Sequence, residues 1–334
     1  MLVWPQKNAL ILKSRAPEKI LNVIPKAKHF TIKGHSVVAV PHRTEETTLL
    51  RNLGYDAPAP IRSYYSWPGR FTPFHAQREA AAFLSMNRRA FNLSELGTGK
   101  SLASLWAYDY LRGIGQMNKC LVISPLSTLE RTWADEIFQH FPHLTYTVLH
   151  GSKDKRVKLL KEDFDVYIIN HDGVGIIEPH LKDRTDIDLV IVDEIAQCAR
   201  NAGTTRWRKI NTVVNKHKEP RACWGMSGTP TPNAPTDAWA QCRLVVPDKV
   251  PPYFNRFKGQ VMRQLNQFKW VPKAGATELV KDVMQPSVRF TRDECLDLPP
   301  LMYETRQVPL TKEQGKAYKD MLTKLRIQAE EGDI

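Results

Sequence analysis

Cysteine is scarce in this chain and the five present stand apart. Cys120, Cys198, Cys223, Cys242 and Cys295 include no Cys-x-x-Cys pair, which excludes a disulfide framework and a thiolate zinc site as organising elements. No two of the ten histidines stand four residues apart, so a helical pair of imidazole ligands is also missing. No apolar run approaches the roughly eighteen residues that a membrane-crossing helix needs. The amino-terminal MLVWPQKNALILKS lacks the basic segment and long apolar stretch of an export signal. These absences lead to the expectation of a reducing compartment and no membrane partner: the cytoplasm of a bacterial or phage-infected cell, or the nucleus of a eukaryotic one.

The composition is that of a folded protein. Over 334 residues, 42% are hydrophobic and 25% charged, close to globular averages and enough for two ordinary domains or one large α/β domain with attachments. Forty-eight Lys and Arg against thirty-five Asp and Glu leave a net charge of +13. Such a surplus suits a polyanionic partner, although a basic surface that serves only solubility has the same composition.

One stretch organises the rest. The apolar run Ala90-Phe91-Asn92-Leu93 is followed by Gly97-Thr98-Gly99-Lys100-Ser101, and Leu102, Leu105, Trp106 and Leu111 then recur at helical spacing. Strand, glycine loop and helix in that order form a phosphate cradle. The glycines let successive backbone N–H groups turn toward an anion, and the helix adds the positive end of its dipole. Lys100 is placed for the outer phosphates of ATP and the Ser101 hydroxyl for Mg²⁺. The full pattern asks for glycine five residues before Gly99, where this chain has Ser94.

Around this loop the chain divides. Residues 1–66 read as a small α+β accessory unit. It has a strand at Ala9–Lys13, a helix at Pro17–Ile24, a hairpin of Phe30–Ile32 with Val37–Val40 turning at Lys33-Gly34-His35, a helix at Thr44–Leu53 closed by Gly54, and a stiff linker at Pro58 and Pro60. Its lysines and arginines fit either a nucleic-acid backbone or a solvated face. Gln77 opens a helix ahead of the glycine loop, and its amide can both donate to and accept from an adenine edge. Cys120–Ser124, Tyr146–Leu149, Val166–Ile169 and Leu189–Val192 read as strands. Helices are expected at Leu126–Phe138 and Asp154–Leu160. Strands alternating with helices imply a parallel sheet.

The strand at Leu189–Val192 ends in Asp193-Glu194, at the sheet edge where ligands of open α/β sheets bind. There Asp193 serves as a hard oxygen ligand for Mg²⁺ and Glu194 positions the attacking water. Ser227-Gly228-Thr229, at a further strand end, offers hydroxyls able to sense a γ-phosphate. Residues 253–270 mix basic and aromatic side chains, as either a nucleic-acid-facing protrusion or an amphipathic helix does.

Gln77, SELGTGKS, SPLSTL, VDEIA and SGTPTPN, in that order, resemble superfamily 2 helicases, most closely the Swi/Snf-type translocases and their phage relatives. That branch lacks the first glycine of the phosphate loop, as this chain does with Ser94. It also carries a tryptophan and a glutamate matched by Trp133 and Glu136, and a basic-Asn pair matched by Arg200-Asn201. Its acidic motif usually ends in histidine, where this chain has Ala196.

The resemblance, over about residues 71–325, implies a RecA-like ATP-binding first lobe at residues 67–310 with a basic insertion near 246–275. Residues 311–334 would be a helix leading toward a second RecA-like lobe outside this chain, opened by a Thr311–Gln314 capping box and carrying Tyr318, Met321, Leu322 and Leu325 on one face. Ser124, Pro125 and Thr128 would touch the phosphodiester backbone of the tracked strand. The implied activity is ATP-dependent translocation on, or remodelling of, duplex or branched DNA. A non-motor DNA-loading module and an RNA-directed helicase stand as the alternatives, and a lone first lobe should be nearly inactive.

Overall fold

A computed structural model describes residues 1–32, 34–181, 184–217, 219–267, 269–295 and 304–331. Residues 1–296 form one compact unit. Among the described residues its strands are β1 (Leu2–Trp4), β2 (Ala9–Lys13), β3 (Lys28–Ile32), β4 (His35–Pro41), β5 (Arg89–Asn92), β6 (Lys119–Ser124), β7 (Tyr146–Val148), β8 (Val166–Asn170), β9 (Ile187–Val192), β10 (Ala222–Met226), β11 (Met262–Gln264), β12 (Trp270–Pro272) and β13 (Ser287–Val288).

Seven of these strands form the central sheet in the order β13-β5-β10-β9-β6-β8-β7, every neighbouring pair parallel. The β-branched runs favour extended backbone, and side-chain alternation sends neighbouring residues to opposite faces. Phe91, Leu121, Ile123, Val190 and Val192 pack on one side, and Ala90, Val122, Ile191, Trp224 and Met226 on the other. Both faces are covered, as a parallel sheet requires. The helices His75–Met86 and Lys100–Gly113 cover the second face, through Leu84, Leu102, Leu105 and Trp106. Helix Thr205–Asn215 covers the first through Ile210, Val213 and Val214.

The amino-terminal sheet is antiparallel, in the order β1-β2-β4-β3. One face carries Leu10, Leu12, Val38 and Val40, closed over by Ile20 and Leu50 from two helices. The hairpin runs as expected, with Lys33 of its turn outside the described residues. The Pro58–Pro60 stretch is not a free linker. Ala57 is buried with the small sheet, while Ala59 and Ile61 are buried with the central one, so both prolines lie between packed anchors.

The helix expected at Leu126–Phe138 is three kinds of helical turn over residues 126–140. Leu126–Thr128 is a 3₁₀ turn, Leu129–Ala134 is π-helical, and Asp135–His140 is α-helical. A π-segment takes extra residues into each turn, and here it accompanies a tryptophan, Trp133, whose side chain is fully buried against the acidic strand end. Residues 253–270 hold both a helix, Phe254–Val261, buried through Phe257 and Val261, and the β11–β12 ribbon, in which the Lys258 ammonium stands 3.7 Å over the Trp270 ring.

Residues 304–331 carry the helix Lys312–Glu331. Thr311 N–H donates to Gln314 Oε1 and Gln314 N–H to Thr311 Oγ1, a capping box. Tyr318, Met321, Leu322 and Leu325 are exposed.

Candidate functional site

Four strand ends meet at the carboxyl edge of the central sheet. β5 leads into the glycine loop, β10 into Ser227-Gly228-Thr229, β9 into Asp193-Glu194 and β6 into Ser124-Pro125, and these four strands are consecutive neighbours. Motifs scattered over residues 94–229 thereby share one edge.

The glycine loop is shaped by two left-handed residues, Gly97 at φ +83° and Gly99 at φ +76°. A Cβ at Gly99 would lie 2.1 Å from Gln77 Nε2, so the absence of a side chain is what lets the glutamine amide lie on the loop. Gln77 is buried, and its Oε1 accepts from Phe74 N–H at 2.9 Å. Its acceptor is thus committed to the start of its own helix, leaving the amide N–H as the donor at the loop.

Lys100, the first residue of its helix, turns its ammonium back to the carbonyls of Ser94 (2.9 Å) and Glu95 (3.0 Å). Thr98 Oγ1 donates to the same Glu95 carbonyl at 2.8 Å. Ser101 follows, half-buried, at the helix N-terminus. Ser94 stands in the place of the missing glycine, and its hydroxyl is used there, since Oγ accepts from Phe290 N–H at 3.1 Å. Glu95 N–H donates to Phe290 O, and Glu95 Oε2 accepts from Arg292 N–H, so the loop is tied to the segment following β13.

Asp193 is buried, and each of its carboxylate oxygens accepts one hydrogen bond. Oδ2 accepts from the Trp133 indole N–H at 3.0 Å and Oδ1 from Glu194 N–H at 2.9 Å, while its carbonyl accepts from His171 Nε2 at 2.8 Å. Glu194 itself is left-handed at φ +46°, a conformation costly for a residue with a Cβ and typical of functional turns. Burial raises the Asp193 carboxyl, and the Trp133 and Glu194 donors and Lys100 oppose this. Glu194 is raised by burial and by Asp193, with Lys100 again opposing. Burial lowers Lys100, against the pull of Glu194, Asp193 and Glu95. The lysine and the two carboxylates thus sense one another electrostatically across the strand ends.

Ser227 N–H donates to Asn92 O, and Thr229 N–H lies 3.3 Å from Ser227 Oγ. Gly228 is pressed on the glycine loop: a Cβ there would stand 3.4 Å from Leu96 N and 3.6 Å from Ser94 O. Thr229 is exposed. Ser124 is fully buried, whereas Pro125 and Thr128 are half-buried and Leu126 and Ser127 between them are exposed, so backbone and Leu126-Ser127 form the outer surface of that turn. Ala196, two residues after Glu194 in the chain, is buried.

Three side chains at the site have no signature in single-residue patterns. Asn92 is buried, accepts from Ser94 N–H through Oδ1 and has an Nδ2 without a partner among the described residues. His171 reaches the acidic strand end from the turn after β8. Glu136, singled out only through the resemblance, is pushed up to about 8 by burial and by Asp193, and its Oε2 is also unpartnered among the described residues. Strand-end alternation could have flagged Asn92; nothing local points to His171.

Among the described residues no cluster of three or more His, Cys, Asp or Glu side chains could hold a metal by itself, and no helix is long and apolar enough to cross a membrane.

Comparison with known proteins accords with this geometry. The chain is 26% identical over 260 residues to a Caenorhabditis elegans protein named as a homolog of the SWI/SNF-related, matrix-associated, actin-dependent regulator of chromatin containing DEAD/H box 1, covering 72% of this chain and 25% of that one. It is 28% identical over 182 residues to protein p41 of Acyrthosiphon pisum secondary endosymbiont phage 1, covering 52% of this chain and 39% of that protein. The fold matches the Sulfolobus solfataricus SWI2/SNF2 ATPase core solved in complex with dsDNA, with a TM-score of 0.57 at 19% identity, over 68% of this chain and 46% of that one. The chain therefore spans less than half the length of each of these proteins. A family model described as the SNF2-related domain matches residues 77–333, from the glutamine that leans on the glycine loop through the carboxyl-terminal helix. Sheet order, glycine loop, acidic strand end and this match agree: the chain belongs to the SNF2-related domain family.

Proposed function

We propose that this chain is the nucleotide-binding first lobe of an ATP-driven motor on duplex or branched DNA, preceded by an accessory unit at residues 1–66 and followed by a helix leading to a second lobe. The observation that carries this reading is the buried Lys100 ammonium at the edge shared by Asp193, Glu194 and the Ser227–Thr229 turn.

The side chains suit ATP with Mg²⁺. Backbone N–H groups of residues 97–101 and the helix dipole receive phosphate oxygens, and Lys100 exchanges its two carbonyl partners for phosphate charge. Ser101 and Asp193 are the hard oxygen donors that would hold Mg²⁺, which keeps most of its shell as water and phosphate. That donor set fits a site with no three-carboxylate cluster among the described residues. When bound, the ion neutralises charge on the transferring phosphoryl group. Glu194, half-buried at its left-handed turn, orients water and accepts its proton at the carboxylate. Ser227–Thr229, in contact with the loop through Gly228, carries the state of the γ-phosphate toward bound DNA. The turn after β6, through Pro125, Thr128 and the backbone near Ser124, supplies sequence-independent phosphate contacts. The second lobe would contribute the arginine finger, whose loss costs roughly 10³–10⁵ in rate.

The test is ATP hydrolysis with and without duplex DNA or RNA, for residues 1–334 and for the chain extended by a second lobe. Stimulation by duplex DNA in the extended protein alone supports the motor. Vigorous hydrolysis by residues 1–334 alone, or stimulation by RNA in place of DNA, overturns it.

A further inference from the structure

The small antiparallel sheet has a second face that the core does not use. Residues paired directly across antiparallel strands share a face. Leu2, Ile11, Ala39 and Lys28 form one such row, and Lys13, Val37 and Phe30 the next, with Trp4 opposite Ala9 at one end. Trp4 is 47% exposed, Phe30 46% and Leu2 66%. Residues of this face line a groove of about 1370 Å³ together with Tyr64 and with Tyr110 and Ile114 at the end of the glycine-loop helix. The groove exceeds the roughly 300–1,000 Å³ of small-molecule sites and is open, as a polymer segment requires.

The chemistry of the groove narrows the occupant. Lys7, Lys26, Lys28 and Arg43 line it beside the two exposed rings, and residues 1–66 hold ten Lys and Arg against four Asp and Glu. Ammonium groups alone would serve any polyanion. Exposed ring faces among them serve a polyanion whose own flat, apolar surfaces are free, which describes splayed single-stranded bases and not the stacked interior of a duplex.

We propose that the outer face of the β1-β2-β4-β3 sheet is a binding site for single-stranded nucleic acid, with bases stacked on Trp4 and Phe30 and the backbone on Lys28 and its neighbours. The site lies apart from the strand ends that hold the nucleotide motifs and acts whether or not the chain hydrolyses ATP. On branched DNA it would seat the unpaired arm.

The experiment measures fluorescence anisotropy of a labelled single-stranded oligonucleotide and of a duplex of equal length at fixed salt, with residues 1–334. The double variant Trp4→Ala/Phe30→Ala loses at least about tenfold in single-strand affinity while duplex affinity holds. The aromatic swap Trp4→Phe/Phe30→Tyr retains most of the single-strand affinity, and Lys28→Ala lowers the salt slope by about one. Both rings face solvent, so an unchanged thermal unfolding curve separates lost binding from lost folding. Single-strand affinity that is absent in the parent, untouched by the double variant, or lost in parallel with duplex affinity overturns the proposal. So does a concentration-dependent dimer that the double variant abolishes, because the face would then be covered by a second copy of the chain.

Discussion

The indole N–H of Trp133 donates to Asp193 Oδ2 at 3.0 Å, joining a π-helical segment after β6 to the acidic end of β9. Hydrogen bonds to a charged partner contribute about 1.5–3 kcal/mol. Trp133→Phe keeps an aromatic ring but removes the donor. The expected result is a loss of stability of about that size and a higher Mg²⁺ requirement for nucleotide binding. Denaturant unfolding and a Mg²⁺ titration of a fluorescent ATP analogue measure the two effects. A variant with unchanged Mg²⁺ dependence would leave Trp133 a packing residue only.

Gly99→Ala tests the glycine loop. A left-handed residue with a Cβ costs about 1–2 kcal/mol, and the new methyl displaces the Gln77 amide from the loop and from Phe74. Stability should fall by about that amount and nucleotide binding should be lost, read by thermal unfolding and by the same fluorescent analogue. Retained affinity would show that the amide placement is incidental.

Glu194→Gln preserves the shape of the acidic turn and removes the base. In the protein extended by a second lobe, hydrolysis should fall by about 10²–10⁴ while nucleotide and DNA affinity are retained. Steady-state ATPase rates with equilibrium binding of both ligands distinguish this outcome from a general collapse of the site. Full activity would remove Glu194 from the proposed reaction.

Arg221 is a buried guanidinium that donates to four backbone carbonyls, those of Ile187, Val213, Leu181 and Arg184. Burial lowers it to about 10, with Asp186 and Asp188 opposing. A lysine cannot span that fork. Arg221→Lys should destabilise the chain by roughly 3 kcal/mol, because at least two buried carbonyls lose their donors. Chemical denaturation measures it, and a change below about 1 kcal/mol would contradict this role for the guanidinium.

The histidines make stability depend on pH below neutrality. His42 is buried between the Tyr64 hydroxyl and the Pro58 carbonyl, and burial lowers it from 6.5. His140 is lowered by burial and by Arg70. With folded values depressed, the unfolded chain takes up protons first as pH falls below 6.5. Their contribution is therefore complete above that pH and declines on acidification toward the folded values. His42→Gln, whose amide can replace both hydrogen bonds, should show a smaller drop in melting temperature than the parent on going from neutral pH to about one unit below the ordinary histidine value. An equal drop would place the pH dependence elsewhere.

Local chemistry was legible in the sequence wherever a few adjacent residues decide it. Gly97 and Gly99 adopt the left-handed turns that the loop demands, Lys100 opens the helix, and Thr311 and Gln314 cap theirs, because dihedral freedom and capping act over three or four positions. Most strands of the central sheet were legible for the same reason, as short apolar runs, whereas the two-residue edge strand β13 at Ser287–Val288 carries no such signal. Their order was not. Runs buried on both faces look alike, so nothing in them says that β10 inserts between β5 and β9. That insertion presses Gly228 onto the glycine loop. Nor does any local pattern announce the π-turns that accompany Trp133, the reach of His171 to Asp193, or the exposed second face of the small sheet. Each depends on which surfaces meet across long sequence separations, and only packing of the whole chain decides that.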